Sequence, residues 1–353
     1  MRYLFYTILS LLLMLAGWTA SPPVLTLYQV PFVEHAPVLD GKLDDACWQS
    51  VPQNTTLYKY NVMEPIPTPL KTTIQCCYDD KGLYLALRMF EKDMSKIRAT
   101  ITQRDDQSLW TDDCAEIYFD PNAMAIGFRK FMVNSIGTKS TLYRIDGANI
   151  DFSWSPDGWL AVPGKDANGW YMELFFPWSD LGRTPKDGDL WRFCLCRYSW
   201  SSSALATTSV GGSFTAPQYF GWLLFTRHPT ADVNALAQQL GQRVPSDWLL
   251  PVQANVIRKL DPKVDITTMS AILTEQRQKV QGQLDEYRVL VSTDTEGVKN
   301  SNSLQVQLTA VTIDTTDAVI FQQSVRALGA ISQQIENTSY TLQVKKLIRE
   351  MTQ

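Results

Sequence analysis

Turn signals set the strongest constraint on this chain. Asp40-Gly41, Lys81-Gly82, Asp146-Gly147, Asp157-Gly158, Asn168-Gly169 and Asp187-Gly188 punctuate residues 40 to 188. Glycine accepts the left-handed backbone of a tight turn, and Asp and Asn bond their own backbone there. Between the turns lie short runs rich in β-branched and aromatic residues, the composition of strands. Thr72 to Tyr78 is one, and Leu83 to Phe90 pairs with it across Asp79-Asp80-Lys81-Gly82. Ala115 to Phe119, Lys130 to Asn134, Gly169 to Phe176 and Leu190 to Tyr198 are others. Closely spaced strands without intervening helices are expected to pair antiparallel. Only Asp93 to Thr100 offers a turn or two of helix among them. The expected fold is therefore mostly β, an antiparallel β-sandwich followed by a C-terminal α-helical region.

The pattern changes near residue 230. Nine of the eleven tryptophans lie between Trp48 and Trp222, and only Trp248 follows. Met269, Ile272, Leu273, Val280, Leu284, Tyr287 and Val291 recur at helical spacing. Leu304, Leu308, Val311, Val319, Val325 and Leu328 suggest a second long helix, and Leu342, Val344, Leu347, Ile348 and Met351 a third. Breaks are expected at Gly297 with Asn300-Ser301-Asn302, and at Glu336-Asn337. The Thr, Ile and Val content of residues 304–321 leaves strand open for part of that stretch. Pro245, Pro251 and Pro262 mark an irregular connector ahead of the helices. One apolar stripe per helix fits a small antiparallel bundle or an oligomeric coiled coil. The expected division is a signal peptide at 1–20, a sandwich at 21–228 and a helical tail at 229–353.

The first twenty residues have the layout of a secretory leader. Met1-Arg2 supplies a positive start, Leu4 to Ala16 is almost wholly apolar, and Gly17, Thr19 and Ala20 are small. A spanning helix would usually need about 20 apolar residues. The expectation is cleavage after Ala20 and a secreted, periplasmic or cell-surface location, with an uncleaved anchor as the alternative. A formal net charge of −4 gives no basic footprint for nucleic acid. The six cysteines show no CxxC metal spacing. Cys194 and Cys196 share a strand face while Cys76 and Cys77 point to opposite faces. Buried thiols with at most one bridge are expected, and spacing does not assign the pairing.

The stretch from Leu109 to Pro121 carries the densest chemistry. Trp110 precedes Asp112, Asp113 and Glu116. Alternation places Glu116, Tyr118 and Asp120 on one strand face and Ile117 and Phe119 on the other. A pyranose stacks its C–H face on a flat aromatic ring, and its hydroxyl rim needs donors and acceptors in the ring plane. Trp110 with Asp112, Asp113 and Glu116 supplies both. Asn134 closes a further strand, and Arg197 and Trp200 end another. The seven residues Trp110, Asp112, Asp113, Glu116, Asn134, Arg197 and Trp200 form the candidate carbohydrate site. The opposing reading is structural: Trp48, Trp170, Trp178, Trp191 and Trp222 are assigned to the core, Asp112 and Asp113 to turn capping, and Arg104-Asp105 to a surface ion pair.

The order of these motifs resembles family 9 carbohydrate-binding modules. Pro37-Val38-Leu39-Asp40-Gly41 through Trp48 resembles their opening, followed by Tyr78-Asp79-Asp80 and Leu83 to Ala86. Arg104-Asp105, Trp110, Asp112 to Pro121, Asn134 with Gly137, Trp170 to Glu173 and Phe176 to Gly182 follow in the family's order. Pro217 to Phe225 closes a match that spans roughly residues 36 to 227. The resemblance implies a β-sandwich related to the DOMON superfamily. It also implies a terminal sugar ring clasped between two tryptophans, with Glu, Asn, Arg and Gln on its hydroxyls. Trp110 and Glu116 fall at the first tryptophan and the glutamate, Asn134 suits the asparagine, and Trp200 is assigned as the second tryptophan. Met132 stands where sugar binders carry an arginine. Some relatives hold structural calcium; an acidic turn could hold it, but no defined ligand set is evident here, and no cofactor is expected otherwise.

Three functions compete. The first is an exported, non-catalytic protein that binds an oligo- or polysaccharide. The second is an envelope interaction or scaffold protein that keeps the fold without the sugar, working through self-association or a protein partner on its helical tail. The third is a glycoside hydrolase with Asp113 and Glu116 as its paired carboxylates. Haem, suggested by the wider superfamily, would have to use His35, His228 or a methionine such as Met132.

Overall fold

A computed structural model describes residues 22–62, 66–210, 213–228 and 231–352. The leader at 1–20 lies outside the described residues. Contacts divide the chain into one unit from Leu25 to Arg243 and another from Val244 onwards, to which the described residues up to Val24 also belong. No helix among the described residues is long and apolar enough to cross a membrane.

The first unit runs β1 (Leu27–Pro31), α1 (Ala46–Ser50), β2 (Tyr58–Lys59), β3 (Thr72–Tyr78), β4 (Gly82–Phe90), β5 (Cys114–Asp120) and β6 (Phe128–Asn134). It continues with β7 (Lys139–Arg144), β8 (Ile150–Asp151), β9 (Leu160–Asp166), β10 (Gly169–Pro177), α2 (Trp178–Leu181), β11 (Leu190–Ser199), β12 (Ala204–Thr207), β13 (Gly221–Thr226) and α3 (Val233–Arg243). One sheet has the order β1-β13-β11-β5-β6-β7-β8, with β12 pairing β11 and β2; the other is β3-β4-β10-β9. Pairing is antiparallel throughout except between β1 and β13. The expected β3–β4 hairpin forms, with Asp79 closing its turn through bonds from the Lys81 and Gly82 amides.

Period-two alternation builds the core. Ala115, Ile117 and Phe119 of β5, Phe131 and Val133 of β6, and Trp191, Phe193 and Leu195 of β11 face inward from the large sheet. Ile74, Leu83, Leu85, Leu87, Trp170, Met172 and Leu174 meet them from the small sheet. Burying each large side chain contributes about 1.5–3 kcal/mol, so the two sheets hold each other in place. The outer face of the small sheet is closed by the chain opening. Glu173 accepts bonds from the Asp40 and Gly41 amides and from the Trp48 indole. Gly41 is at φ +78, and a Cβ there would lie 2.8 Å from the Pro163 carbonyl, so glycine is required at this position. Trp48, Trp170, Trp178, Trp191 and Trp222 are all buried, as expected.

The second unit departs from its sequence reading in three places. The proline-marked connector is a three-stranded sheet of β14 (Trp248–Val252), β15 (Asn255–Leu260) and β16 (Lys263–Thr268). Pro251 lies on β14, the end strand of this sheet, where a missing backbone N–H is tolerated. The helices are α4 (Met269–Leu290), α5 (Thr295–Ala310) and α6 (Ala318–Thr352). Gly297 and Asn300-Ser301-Asn302 lie inside α5, whose start is fixed by Asp294 capping the Glu296 and Gly297 amides. The interruption falls at residues 311–317, after which Asp317 caps α6 through the Val319 and Ile320 amides. Glu336-Asn337 does not break α6; Glu336 accepts a bond from Gln283 on α4 while Ile331 and Ile335 enter the core.

All six cysteines are free thiols, five of them buried. Cys194 and Cys196 do share a face, with sulfurs 3.7 Å apart.

Candidate functional site

β5, β6 and β11 point their second set of side chains away from the core. Glu116 and Tyr118 on β5, Lys130 and Met132 on β6, and Cys194, Cys196 and Tyr198 on β11 share this outer face, because Glu116 pairs with Met132 and Cys196 while Tyr118 pairs with Lys130 and Cys194. Tyr118, Phe128 and Phe220 form an aromatic cluster over it, with Phe214 partly buried against them.

Two aromatics stand out at the rim. Trp110 is 49% exposed and Trp200 43%; no other described tryptophan is exposed. Each stands beside one of two neighbouring enclosed carboxylates. Asp113 accepts the Trp200 amide on Oδ1 at 2.9 Å and the Arg98 amide on Oδ2 at 2.7 Å. Its own amide donates to the Arg98 carbonyl at 2.8 Å. Asp112 follows a single 3-10 turn holding Trp110 and accepts from the Thr100 amide and hydroxyl, the Ile101 amide and Asn134 Nδ2. Arg98 lies with its guanidinium 5.1 Å from the Trp200 ring centroid, and Tyr198 is 6.3 Å from Trp110.

These bonds shape the electrostatics. Burial opposes ionisation of Asp112, yet its hydrogen bonds from Thr100, Ile101 and Asn134 outweigh that and its pKa is lowered. At Asp113 burial prevails over the bonds from Arg98 and Trp200, and its pKa is raised. Both sit at 0% exposure.

The remaining sequence-named residues are enclosed as well. Asn134 caps the β6–β7 turn through the Ile136 and Thr138 amides, and its Nδ2 also reaches the Ile101 carbonyl. Glu116 is 1% exposed and bonds Lys130 Nζ at 2.9 Å and the Tyr118 hydroxyl. Arg197 turns inward rather than to the outer face. It pairs with Glu91 at 2.6 Å and donates to the Lys71 carbonyl and Thr72 hydroxyl, joining β11 to the β3–β4 end of the small sheet. Glu91 in turn accepts from Ser199 and Ser201, on either side of Trp200. Met132 packs with Leu109 and Cys114, so the family's arginine position is here part of the apolar footing under the Trp110 turn.

Thus the fold brings Trp110, Asp112, Asp113, Asn134 and Trp200 into one connected rim. Glu116 lies in a separate buried cluster on the same sheet face, and Arg197 acts from the core side. Arg98 and Tyr198 were not among the residues named from sequence. Strand alternation with Cys194 and Cys196 would have found Tyr198. Arg98 lies in an irregular segment, and no spacing rule links it to a carboxylate fifteen residues on. Among the described residues no group of three or more His, Cys, Asp or Glu side chains is placed to hold a metal ion.

Fold and rim together define a two-sheet β-sandwich module with exposed aromatics fixed at one edge. The chain belongs to the carbohydrate family 9 binding domain-like family, whose model matches residues 39–221. Comparison with curated proteins finds no match. Among solved structures it is similar to a family 9 carbohydrate-binding module from Caldicellulosiruptor kristjanssonii in complex with cellotriose. That pair has 19% identity and a TM-score of 0.42, covering 59% of this chain and 96% of the other. A module from the same organism in complex with glucose gives 18% identity and a TM-score of 0.43, covering 59% and 100%.

Proposed function

We propose that this is an exported, non-catalytic saccharide-binding protein whose rim carries the sugar on Trp110 and Trp200. The observation that carries the reading is the pair of exposed tryptophans, Trp110 in the turn that leads into the buried Asp112 and Trp200 bonded through its amide to the buried Asp113. An exposed indole loses its water on stacking against a pyranose face, and a fixed indole has little entropy left to lose. Membership in a family of binding domains supports it. In this reading Asp112, Asp113, Asn134 and Arg197 do not touch hydroxyls; their polar atoms are engaged within the protein, and they hold the tryptophans. Hydroxyl contacts fall to Arg98 and Tyr198 at the rim, and to Glu116 only if Lys130 and Tyr118 release it. Hydrolysis by Asp113 and Glu116 is disfavoured by the same geometry, since neither carboxylate reaches solvent.

Calorimetry of the folded chain with glucose, cellobiose and xylobiose tests this. Saturable heat that disappears in Trp110→Ala and weakens in Trp200→Ala supports it. Absence of heat with a broad panel of sugars, or binding indifferent to both substitutions, overturns it.

A further inference from the structure

Arg98 differs from every other charged group at the rim in having an uncommitted end. Its backbone is clamped on both sides by Asp113, and the same carboxylate holds the Trp200 amide. The two residues therefore stand side by side on one buried fork. The Arg98 side chain is 45% exposed and its guanidinium lies over the Trp200 ring. Its nearest anion, Asp112 Oδ1, is 3.8 Å from Nε, beyond hydrogen-bonding distance, and Asp112 is already engaged by Thr100, Ile101 and Asn134. The terminal nitrogens of Arg98 donate to no described residue. Asp112, Asp113 and Glu116 are all enclosed, so none presents a free carboxylate to compete for the fork.

A planar guanidinium with two free donors matches a carboxylate in bidentate fashion. A ring stacked on an adjacent indole would hold such a group within reach. We propose that the preferred ligand of this rim is an acidic saccharide, a uronate whose carboxylate is taken by Arg98 while its ring lies on the tryptophans. This rests on the saccharide-binding reading above and specifies its substrate class. Arg98 is the residue that sets the preference; Asp113 is its positioning residue, fixing its distance from Trp200.

The test compares cellobiouronic acid with its methyl ester and with cellobiose, by calorimetry on the full chain. The three share a disaccharide frame and differ at one carbon. The acid is expected to bind roughly tenfold or more tightly than the ester, the scale of one charge-assisted bidentate bond. That preference should shrink as salt rises, because the fork is exposed. In Arg98→Gln the ratio of acid to ester affinity is expected to fall towards one, and Arg98→Lys should keep part of it. Equal binding of acid and ester by the unsubstituted protein overturns the uronate inference and leaves the saccharide reading standing. A full acid preference surviving in Arg98→Gln overturns the assignment to Arg98. Failure of all three ligands to bind folded protein also overturns the uronate inference, and the broad sugar panel then decides the saccharide reading.

Discussion

On β5, Ala115, Ile117 and Phe119 enter the sandwich core, whereas Glu116 and Tyr118, one residue out of step, lie on the other face with Lys130. The inner face is filled by Trp191, Phe193 and Leu195 of the neighbouring strand, without a charge among them. The outer face holds an ion pair, a phenol and two thiols beneath an aromatic cover. Both faces are buried, so burial alone does not distinguish them. What differs is the kind of interaction that satisfies them. Dispersion and the hydrophobic effect fill the inner face around these residues, where the indole nitrogens of Trp170 and Trp191 are buried without a hydrogen-bond partner among the described residues. On the outer face each polar atom needs its own partner, and removing one strands another.

The two faces should therefore fail differently. The largest effect is expected on the inner face: Phe193→Ala should cost about 3–5 kcal/mol by leaving a cavity between the sheets, read from denaturant unfolding. A cost close to that of an exposed alanine substitution would show that the sheets are not tightly packed there. Next, Glu116→Ala should cost about 1–3 kcal/mol, because the Lys130 ammonium, only 13% exposed, loses its carboxylate. The double change Glu116→Ala with Lys130→Met should recover most of that loss. No recovery would mean that Glu116 acts by some route other than this pair.

Acid sharpens the contrast at the rim. The lowered pKa of Asp112 stabilises the fold above the ordinary value of 3.8 and is lost as pH falls through the lowered value. The raised pKa of Asp113 has the opposite sign: its contribution to stability improves as pH falls through the raised value. Protonation there also weakens the acceptor that holds Arg98 and Trp200. On acidification, saccharide affinity should thus fall before stability does, and Asp112→Asn should remove part of the later stability loss. Parallel loss of affinity and stability would contradict this order. The smallest expected effect on stability is Trp110→Ala, within about 0.5 kcal/mol because the ring is half exposed. The same change should weaken saccharide binding roughly tenfold or more. A large loss of stability instead would make Trp110 a packing residue.

Much of the architecture was legible along the chain. The Asp79 to Gly82 turn defined its hairpin through local bonds, and the strand runs showed their inner faces by alternation. The assignment of Trp48, Trp170, Trp178, Trp191 and Trp222 to the core, and the choice of Trp110 and Trp200 as candidates, followed from whether apolar or polar residues surrounded them. The helical unit was read less well. Asn300-Ser301-Asn302 and Glu336-Asn337 looked like breaks, but Asn302, Glu336 and Asn337 lie on the solvent side and the buried Ser301 donates to the Val298 carbonyl, so the backbone bonds of the helices continue.

The sequence by itself determined which residue types meet at the rim: two indoles, two neighbouring aspartates and an asparagine, ordered by local turns and strand period. Only the tertiary structure decided what each of them does. Asp112 and Asp113 look identical in sequence, as paired carboxylates beside a tryptophan. Their roles were set by the segments that folding laid against them, Thr100 and Ile101 on one, Arg98 and Trp200 on the other. Those partners are up to 87 residues away. Hydrogen-bond capacity is used up by whatever arrives within 3 Å or so, and that depends on long-range packing rather than on chain neighbours.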